Sequence, residues 1–393
     1  MTDVYLVSGV RTAVGDFGGS LKDVPPSELG ARVAREALSR SAVDPSRIGH
    51  VVFGQVIPTE AKDAYVSRVA AVDAGIPVEV PAMTVNRLCG SGLQAIVSAA
   101  QAIMLGEADV ALGGGVESMS RAPYSVPSAR WGARLGDNTL SDLLVGALTD
   151  PFKRIHMGVT AENVAERYQI GREEQDALAV ESHRRAAAAI REGRFKEQVL
   201  PIETKQRRKT VVFDTDEHVR EDATAEEMRG LRPAFRKEGG SVTAGNASGI
   251  NDGAAAAVLA SEEAVRSMDL KPLARLVAYG HAGVDPDYMG MGPVPATKVA
   301  MQRAGLSVQD MDVIESNEAF AAQACAVARE LGFDPARVNP NGSGISIGHP
   351  VGATGAINTV KLVYELQRTG GRYGLVTMCI GGGQGIAAIF ERV

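Results

Sequence analysis

The chain has 393 residues, with 41 Lys and Arg against 47 Asp and Glu, a formal charge of −6. Hydrophobic residues make up 45% and charged residues 22%, the balance of a chain that folds rather than stays disordered, and the acidic excess argues against nucleic acid as the main partner. No stretch reaches the ~20 apolar residues of a membrane-spanning helix, and ~150 residues per domain gives two or three domains.

The first residues, Met-Thr-Asp, lead into a strand over 4–7 with no basic flank or apolar core, so no signal peptide is expected. A helix follows over 27–39, with Leu29, Val33, Ala37 and Leu38 on one face. Then come a turn over 42–48 and a strand over 51–56. The run Asn86-Arg87-Leu88-Cys89-Gly90-Ser91-Gly92 opens a helix that reaches Leu105, and a strand over 108–112 is followed by Gly113-Gly114-Gly115. Residues 119–248 carry more charge. They include a Pro- and Gly-rich excursion over 121–136, one long helix over 160–192 and a basic cluster of Lys205, Arg207, Arg208 and Lys209, read first as a solvated hairpin. After them the grammar of the start returns: a helix over 297–304, a turn over 305–311, a strand over 313–316, a Gly-rich loop around Gly348-His349-Pro350, a helix, Gly370-Gly371, a strand over 373–378 and Cys379-Ile380-Gly381-Gly382-Gly383. Two matching loop–helix–strand–glycine series suggest a duplicated α/β unit, with the middle as an insertion in the first copy.

Three cysteines at wide spacing, Cys89, Cys325 and Cys379, form no disulfide framework and point to a reducing compartment, the cytoplasm. Cys89 falls at a helix start, followed by Gly90, Ser91 and Gly92, where unpaired N–H groups favour a thiolate and lower its pKa; the rival reading is a buried structural thiol. His349 lies in a stretch with five glycines between Gly342 and Gly355, at the same kind of junction, where an imidazole can take a thiol proton; the rival is a loop histidine bonded to backbone. Cys379 ends a strand before glycines whose N–H groups can hold an oxyanion, and a core cysteine is the alternative. Asn317 either orients a water or caps the helix after it. Cys325, inside an Ala-rich helix, reads as core. His50, His183, His218 and His281 have no clustered metal ligands in the sequence, and no metal motif or phosphate-binding loop occurs.

Taken together, Asn86 to Gly92, Asn317-Glu318-Ala319-Phe320, Gly348-His349-Pro350 with Gly352-Ala353-Thr354-Gly355, and Cys379 to Gly385 closely resemble the motifs of the thiolase family, in the family's order and over essentially the whole chain. The resemblance is nearest to bacterial acetyl-CoA acetyltransferases and the β-ketothiolases that supply polyhydroxyalkanoate precursors. It implies an α/β thiolase fold of two duplicated βαβαβαββ halves in a five-layered α-β-α-β-α arrangement with an inserted loop domain. The expected division is 1–118 with 249–270, 119–248 for the loop domain that binds CoA, and 271–393. The resemblance makes Cys89 the acylated nucleophile, His349 its activator and Cys379 the acid/base at the α-carbon. Asn317, through a water, and His349 would form one oxyanion hole, and the N–H groups of Cys89 and Gly381 the other. Leu148, His156, Met157, Arg220 and Ser248 would contact coenzyme A, with Met289, Ala319 and Phe320 at the pantetheine and acyl end. The substrates would be acetyl-CoA, acyl-CoA and free CoA, with no metal or redox cofactor, no nucleic acid and no membrane. The assembly would be a homotetramer, joined through the segment around Trp131.

Three other readings compete. A decarboxylating ketoacyl synthase resembles this fold but pairs its Cys with two His, or with His and Asn, whereas here Cys379 occupies the Gly loop. A non-catalytic CoA or lipid carrier would have lost a nucleophile or base. A degradative 3-ketoacyl-CoA thiolase keeps the chemistry and differs only in softer features of the motifs.

Overall fold

The computed structural model describes residues 2–206 and 209–393. Arg207 and Arg208 of the basic cluster lie outside the described residues. The first half runs β1 (Val4–Thr12), α1 (Pro26–Ser41), β2 (His50–Gly54), α2 (Val66–Asp73), β3 (Ala82–Val85), α3 (Ser91–Met104) and β4 (Val110–Ser118). The inserted region carries α4 (Met157–Arg167) and α5 (Arg172–Arg191), after which β5 (Asn251–Ser261) returns to the first sheet. The second half runs β6 (Ala274–Gly283), α6 (Pro293–Ala304), β7 (Val313–Ser316), α7 (Ala321–Leu331), α8 (Thr354–Thr369), β8 (Tyr373–Ile380) and β9 (Gln384–Arg392).

The duplication is written in the strand order. The first half pairs as β1-β5-β4-β2-β3 and the second as β6-β9-β8-β7. Where the first half has β3, the second has a single bridge, Ile314 to Val338. The two units meet where Tyr5 pairs with Arg275 and Leu6 with Ala274. Helices α3 and α8 pack against each other and each against strands of its own half, so they form the middle of five layers. Helix α1, with α2 against it, covers the outer face of the first sheet, and α6 with α7 covers the second.

Small residues allow this stacking. Strand β5 is fully buried and reads Asn-Asp-Gly-Ala-Ala-Ala-Ala-Val-Leu-Ala-Ser, so α1 approaches closely on one face and α8 on the other. The three glycines expected after a strand at 108–112 lie inside β4 instead. A Cβ on Gly113 would stand 2.9 Å from Ile96 Cα, and one on Gly115 would stand 2.4 Å from the Gly352 carbonyl oxygen. Gly113 and Gly115 are glycines because α3 and the loop before α8 press on the strand there, and Gly114 because the Ala255 carbonyl and the Phe53 ring do. Strand β2 ends at Gly54, short of the expected 56, because Val56 and Ile57 leave the ladder and donate their N–H groups to the buried Glu117 carboxylate at 3.0 and 3.1 Å.

The single helix expected over 160–192 is two helices. Gln169 takes φ 54°, a left-handed turn, while Ile170 buries its side chain and Gly171 caps α5. Gly171 was the break signal inside a continuous polar and apolar pattern. The inserted region is fastened to β1 by an ion pair buried on both sides, Arg11 to Asp216, at 2.7 and 2.9 Å. Asp216 also accepts the Val14 N–H at 2.8 Å, and removing one partner of such a pair costs about 3–5 kcal/mol.

Candidate active site

Cys89 sits in the turn between β3 and α3. Asn86 Oδ1 accepts the Leu88 N–H at 3.0 Å, and Ser91 Oγ accepts the Arg87 N–H at 2.8 Å while donating to the Leu88 carbonyl at 2.7 Å. These side chains hold Leu88 at φ 45°, a conformation ordinarily left to glycine. Helix α3 begins one residue after Gly90, where a Cβ would stand 2.6 Å from Ile380 Cδ1. The expected junction is therefore present, and it is pressed against the end of β8, next to Cys379.

The second junction is brought to the first by a pair of glycines. A Cβ on Gly92 would stand 2.7 Å from the Ala356 nitrogen, and one on Gly355 would stand 2.3 Å from the Leu93 nitrogen. Helices α3 and α8 therefore touch at their first turns. The residues just before each helix, Cys89 in one half and His349 in the other, are delivered to one place. Both line one cavity of about 390 Å³. A second cavity of about 420 Å³, between α5 and α7, holds neither; Cys325 lines it, a buried thiol in α7 pushed up to about 12.

The imidazole has a defined tautomer. Thr354 Oγ1 donates to the Pro350 carbonyl at 2.8 Å, so its contact with His349 Nδ1 at 2.7 Å is an N–H donated by the ring. Nε2 is then the bare nitrogen, 3.4 Å from Asn317 Nδ2. Burial holds this imidazole down at about 4, so it is neutral near pH 7. Asn317 is fully buried beyond the end of β7, and its Oδ1 has no partner among the described residues, an acceptor left for a water.

Cys89 differs from expectation in charge. The helix start was expected to lower the Cys89 pKa; instead burial raises it, and the nearby Glu117 carboxylate adds to the rise. Desolvation is the largest of the contributions at this thiol. Two N–H groups do point at the Cys89 sulfur, its own and that of Gly381, and both pull in the lowering direction. Gly381 starts the turn from β8 to β9, with Gly382 and Gly383 at φ 79° and 83°. Cys379 is buried at the end of β8; burial pushes its thiol far up, and the proximity of Cys89 pushes it further. It lies behind the cavity wall, packed with Met157, Ala161, Met289, Ala319 and Phe320.

Leu148, His156, Met157, Ser248, Met289, Ala319, Phe320 and Gly381 line the cavity with Cys89 and His349. Arg220 does not. It is exposed, beside His183, whose Nδ1 accepts its backbone N–H at 3.1 Å. The sequence reading missed Phe235, which stacks on His156 with ring centroids 4.7 Å apart and meets Phe320 edge-on. Nothing in the pattern around Phe235 marks it; only the folded insertion brings it over Gly158, where a Cβ would clash with its ring at 2.2 Å. Leu88, Ile57, Met119 and Val351 complete an apolar wall. Among the described residues no group of three or more His, Cys, Asp or Glu side chains is placed to hold a metal ion.

Two thiols and an imidazole gathered where the halves of a duplicated α/β fold meet, under a narrow apolar cavity, define an enzyme of acyl-thioester chemistry. The chain belongs to the thiolase family: residues 4–263 match the thiolase N-terminal domain and residues 270–392 the thiolase C-terminal domain. It is 68% identical to beta-ketothiolase BktB of Cupriavidus necator over 391 residues, covering 100% of this chain and 99% of that one. It superimposes on the crystal structure of the Bacillus anthracis acetyl-CoA acetyltransferase with a TM-score of 0.98 at 49% identity, covering 100% and 99% of the two chains. The human mitochondrial 3-ketoacyl-CoA thiolase in complex with CoA matches with a TM-score of 0.97 at 46% identity, covering 100% and 98%.

Proposed function

We propose that the protein is a β-ketothiolase that joins acetyl-CoA to a second acetyl-CoA or a short acyl-CoA, giving 3-ketoacyl-CoA and CoA, and cleaves the product with CoA in reverse. The convergence of Cys89, His349 and the Gly381 N–H on one cavity, with Cys379 against its floor, carries this reading. His349 Nε2 takes the Cys89 proton and the thiolate attacks the thioester carbonyl. The N–H groups of Cys89 and Gly381 hold the oxygen as it becomes anionic. The bond to CoA sulfur breaks, and the departing thiolate takes the proton of Cys379. Cys379 is then a thiolate in a site that strongly disfavours one, which makes it a strong base for the α-proton of acetyl-CoA. The enolate oxygen is met by the protonated Nε2 of His349 and by a water on Asn317. The enolate carbon attacks the acyl carbonyl, and Cys89 leaves and regains its proton from His349. Coenzyme A thioesters enter as substrates, and the scheme uses side chains and backbone groups of the chain together with one water on Asn317.

The family acts on CoA thioesters, and the cavity walls formed by Leu148, His156, Met157, Ser248, Met289, Ala319 and Phe320 support their use for coenzyme A and the acyl end. Arg220, exposed and outside those walls, has no contact among the described residues that supports a role in coenzyme A binding. The division into 1–118 with 249–270, 119–248 and 271–393 is supported by the matching strand orders of the two halves. A tetramer is supported by two sets of exposed apolar side chains: Tyr65, Val72, Val78 and Met83 around the edge strand β3, and Trp131, Leu135 and Leu140 on the excursion. No described helix is long and apolar enough to cross a membrane, and a cytoplasmic enzyme making polyhydroxyalkanoate precursors is the reading we favour.

The test is Cys379→Ser. It should still form the acyl-enzyme but lose ~100-fold or more in condensation and in exchange of the acetyl-CoA α-protons with deuterium oxide, the scale of a lost general base. Exchange at the wild-type rate would remove Cys379 from the α-carbon.

A further inference from the structure

The peptide that carries His349 is seated on one side chain from the other half of the molecule. Asn251, the first residue of β5, is fully buried. Its Oδ1 accepts the His349 backbone N–H at 2.9 Å. Its Nδ2 donates to the Gly15 carbonyl at 3.2 Å and to Asp16 Oδ1 at 3.3 Å. The same Asp16 oxygen is 2.5 Å from His218 Nδ1. Gly348 takes φ +109°, and a Cβ there would stand 2.6 Å from Asn251 Cγ, so the loop before His349 lies flat against the amide.

With two acceptors on the Nδ2 side, the amide has one orientation. A flip would set its oxygen against the Gly15 carbonyl and the Asp16 carboxylate and turn an N–H against the His349 N–H. We propose that Asn251 is a positioning residue for His349, held in orientation by Asp16 and, through it, by His218. The proposal rests on His349 being the base that activates Cys89. The imidazole is then fixed at its backbone by Asn251 from the first half and at Nδ1 by Thr354 from its own helix. Nε2 is left without a proton, 3.4 Å from Asn317 Nδ2. Asn251 touches no reacting atom; it sets where Nε2 sits relative to Cys89.

The experiment compares wild type with Asn251→Ala, Asn251→Asp, the exchanged pair Asn251→Asp with Asp16→Asn, and His349→Ala. Single-turnover acylation by acetyl-CoA, its KM, and alkylation of Cys89 by iodoacetamide are measured for each. Asn251→Ala should slow acylation ~10- to 100-fold, as a displacement near 1 Å of a reacting group does, with KM within about twofold. Asn251→Asp alone sets two carboxylates together and should be slow; the exchanged pair again offers a donor and an acceptor and should recover at least ~5-fold over it. Wild-type acylation in Asn251→Ala, or a loss confined to KM, overturns the proposal. Where Asn251→Ala does not fold, equal rates for Asn251→Asp and the exchanged pair overturn it. A His349→Ala protein that alkylates like wild type removes the base reading and this inference with it. Slow His349→Ala beside fast Asn251→Ala removes the positioning role alone.

Discussion

At the scale of single residues, the site runs on neutral groups. Burial holds His349 near 4 and raises Cys89, so between pH 5 and 8 thiol and imidazole share the cavity uncharged rather than as a thiolate–imidazolium pair. The sign follows from the two directions. Lowering the pH through 6.5 does not protonate an imidazole whose value lies near 4, and raising it through 8 does not ionise a thiol held above its usual range. Alkylation of Cys89 by iodoacetamide should therefore be slow and rise about tenfold per pH unit through this window without a plateau, because only the thiolate reacts. A step centred near 6.5 would mean an ion pair and would contradict the burial argument. The residue types were legible in the sequence, since Gly-flanked Cys and His at helix starts announce chemistry. The direction of the Cys89 shift was not, because sequence shows the helix start and hides the desolvation that outweighs it.

At the scale of elements, the crossing of α3 and α8 joins the two chemical groups. The contact is backbone on backbone at Gly92 and Gly355, so a methyl group there has no flexible side chain to displace. Gly92→Ala should cost about 1–3 kcal/mol, the usual scale of overpacking, and should lower kcat more than ~10-fold by moving Cys89 from His349. Thermal unfolding with single-turnover kinetics checks both, and wild-type kcat would show that the crossing does not set the site. Most elements could be read from periodicity: β7 was placed at its true bounds, and α1 and α6 to within a few residues. The failures share a cause. Gly113 to Gly115 read as a loop because glycine is a turn signal, yet in β4 it marks where another backbone arrives. Gly171 is a true break that the sequence hides, because a helical pattern resumes beyond it.

At the scale of the whole molecule, the repeat visible in the sequence is the physical basis of the site. Equal strand orders in two halves, set around a shared middle layer, bring equivalent helix starts face to face. One start carries Cys89 and the other His349, the nucleophile and base of the proposed reaction. The insertion is held to β1 by Arg11 and Asp216 and covers this meeting point with Met157, His156 and Phe235. These roof residues are where sequence reading ran out: the resemblance supplied His156 and Met157 and left out Phe235, because the roof is made by tertiary packing and has no period of its own. The most direct measurement is intact-protein mass spectrometry after exposure to acetyl-CoA, with peptide mapping of the adduct. One acetyl group should appear on Cys89 in the wild type and in Cys379→Ser, and none in Cys89→Ala. An acetyl group retained by Cys89→Ala, or mapped to Cys379 in the wild type, would contradict the account.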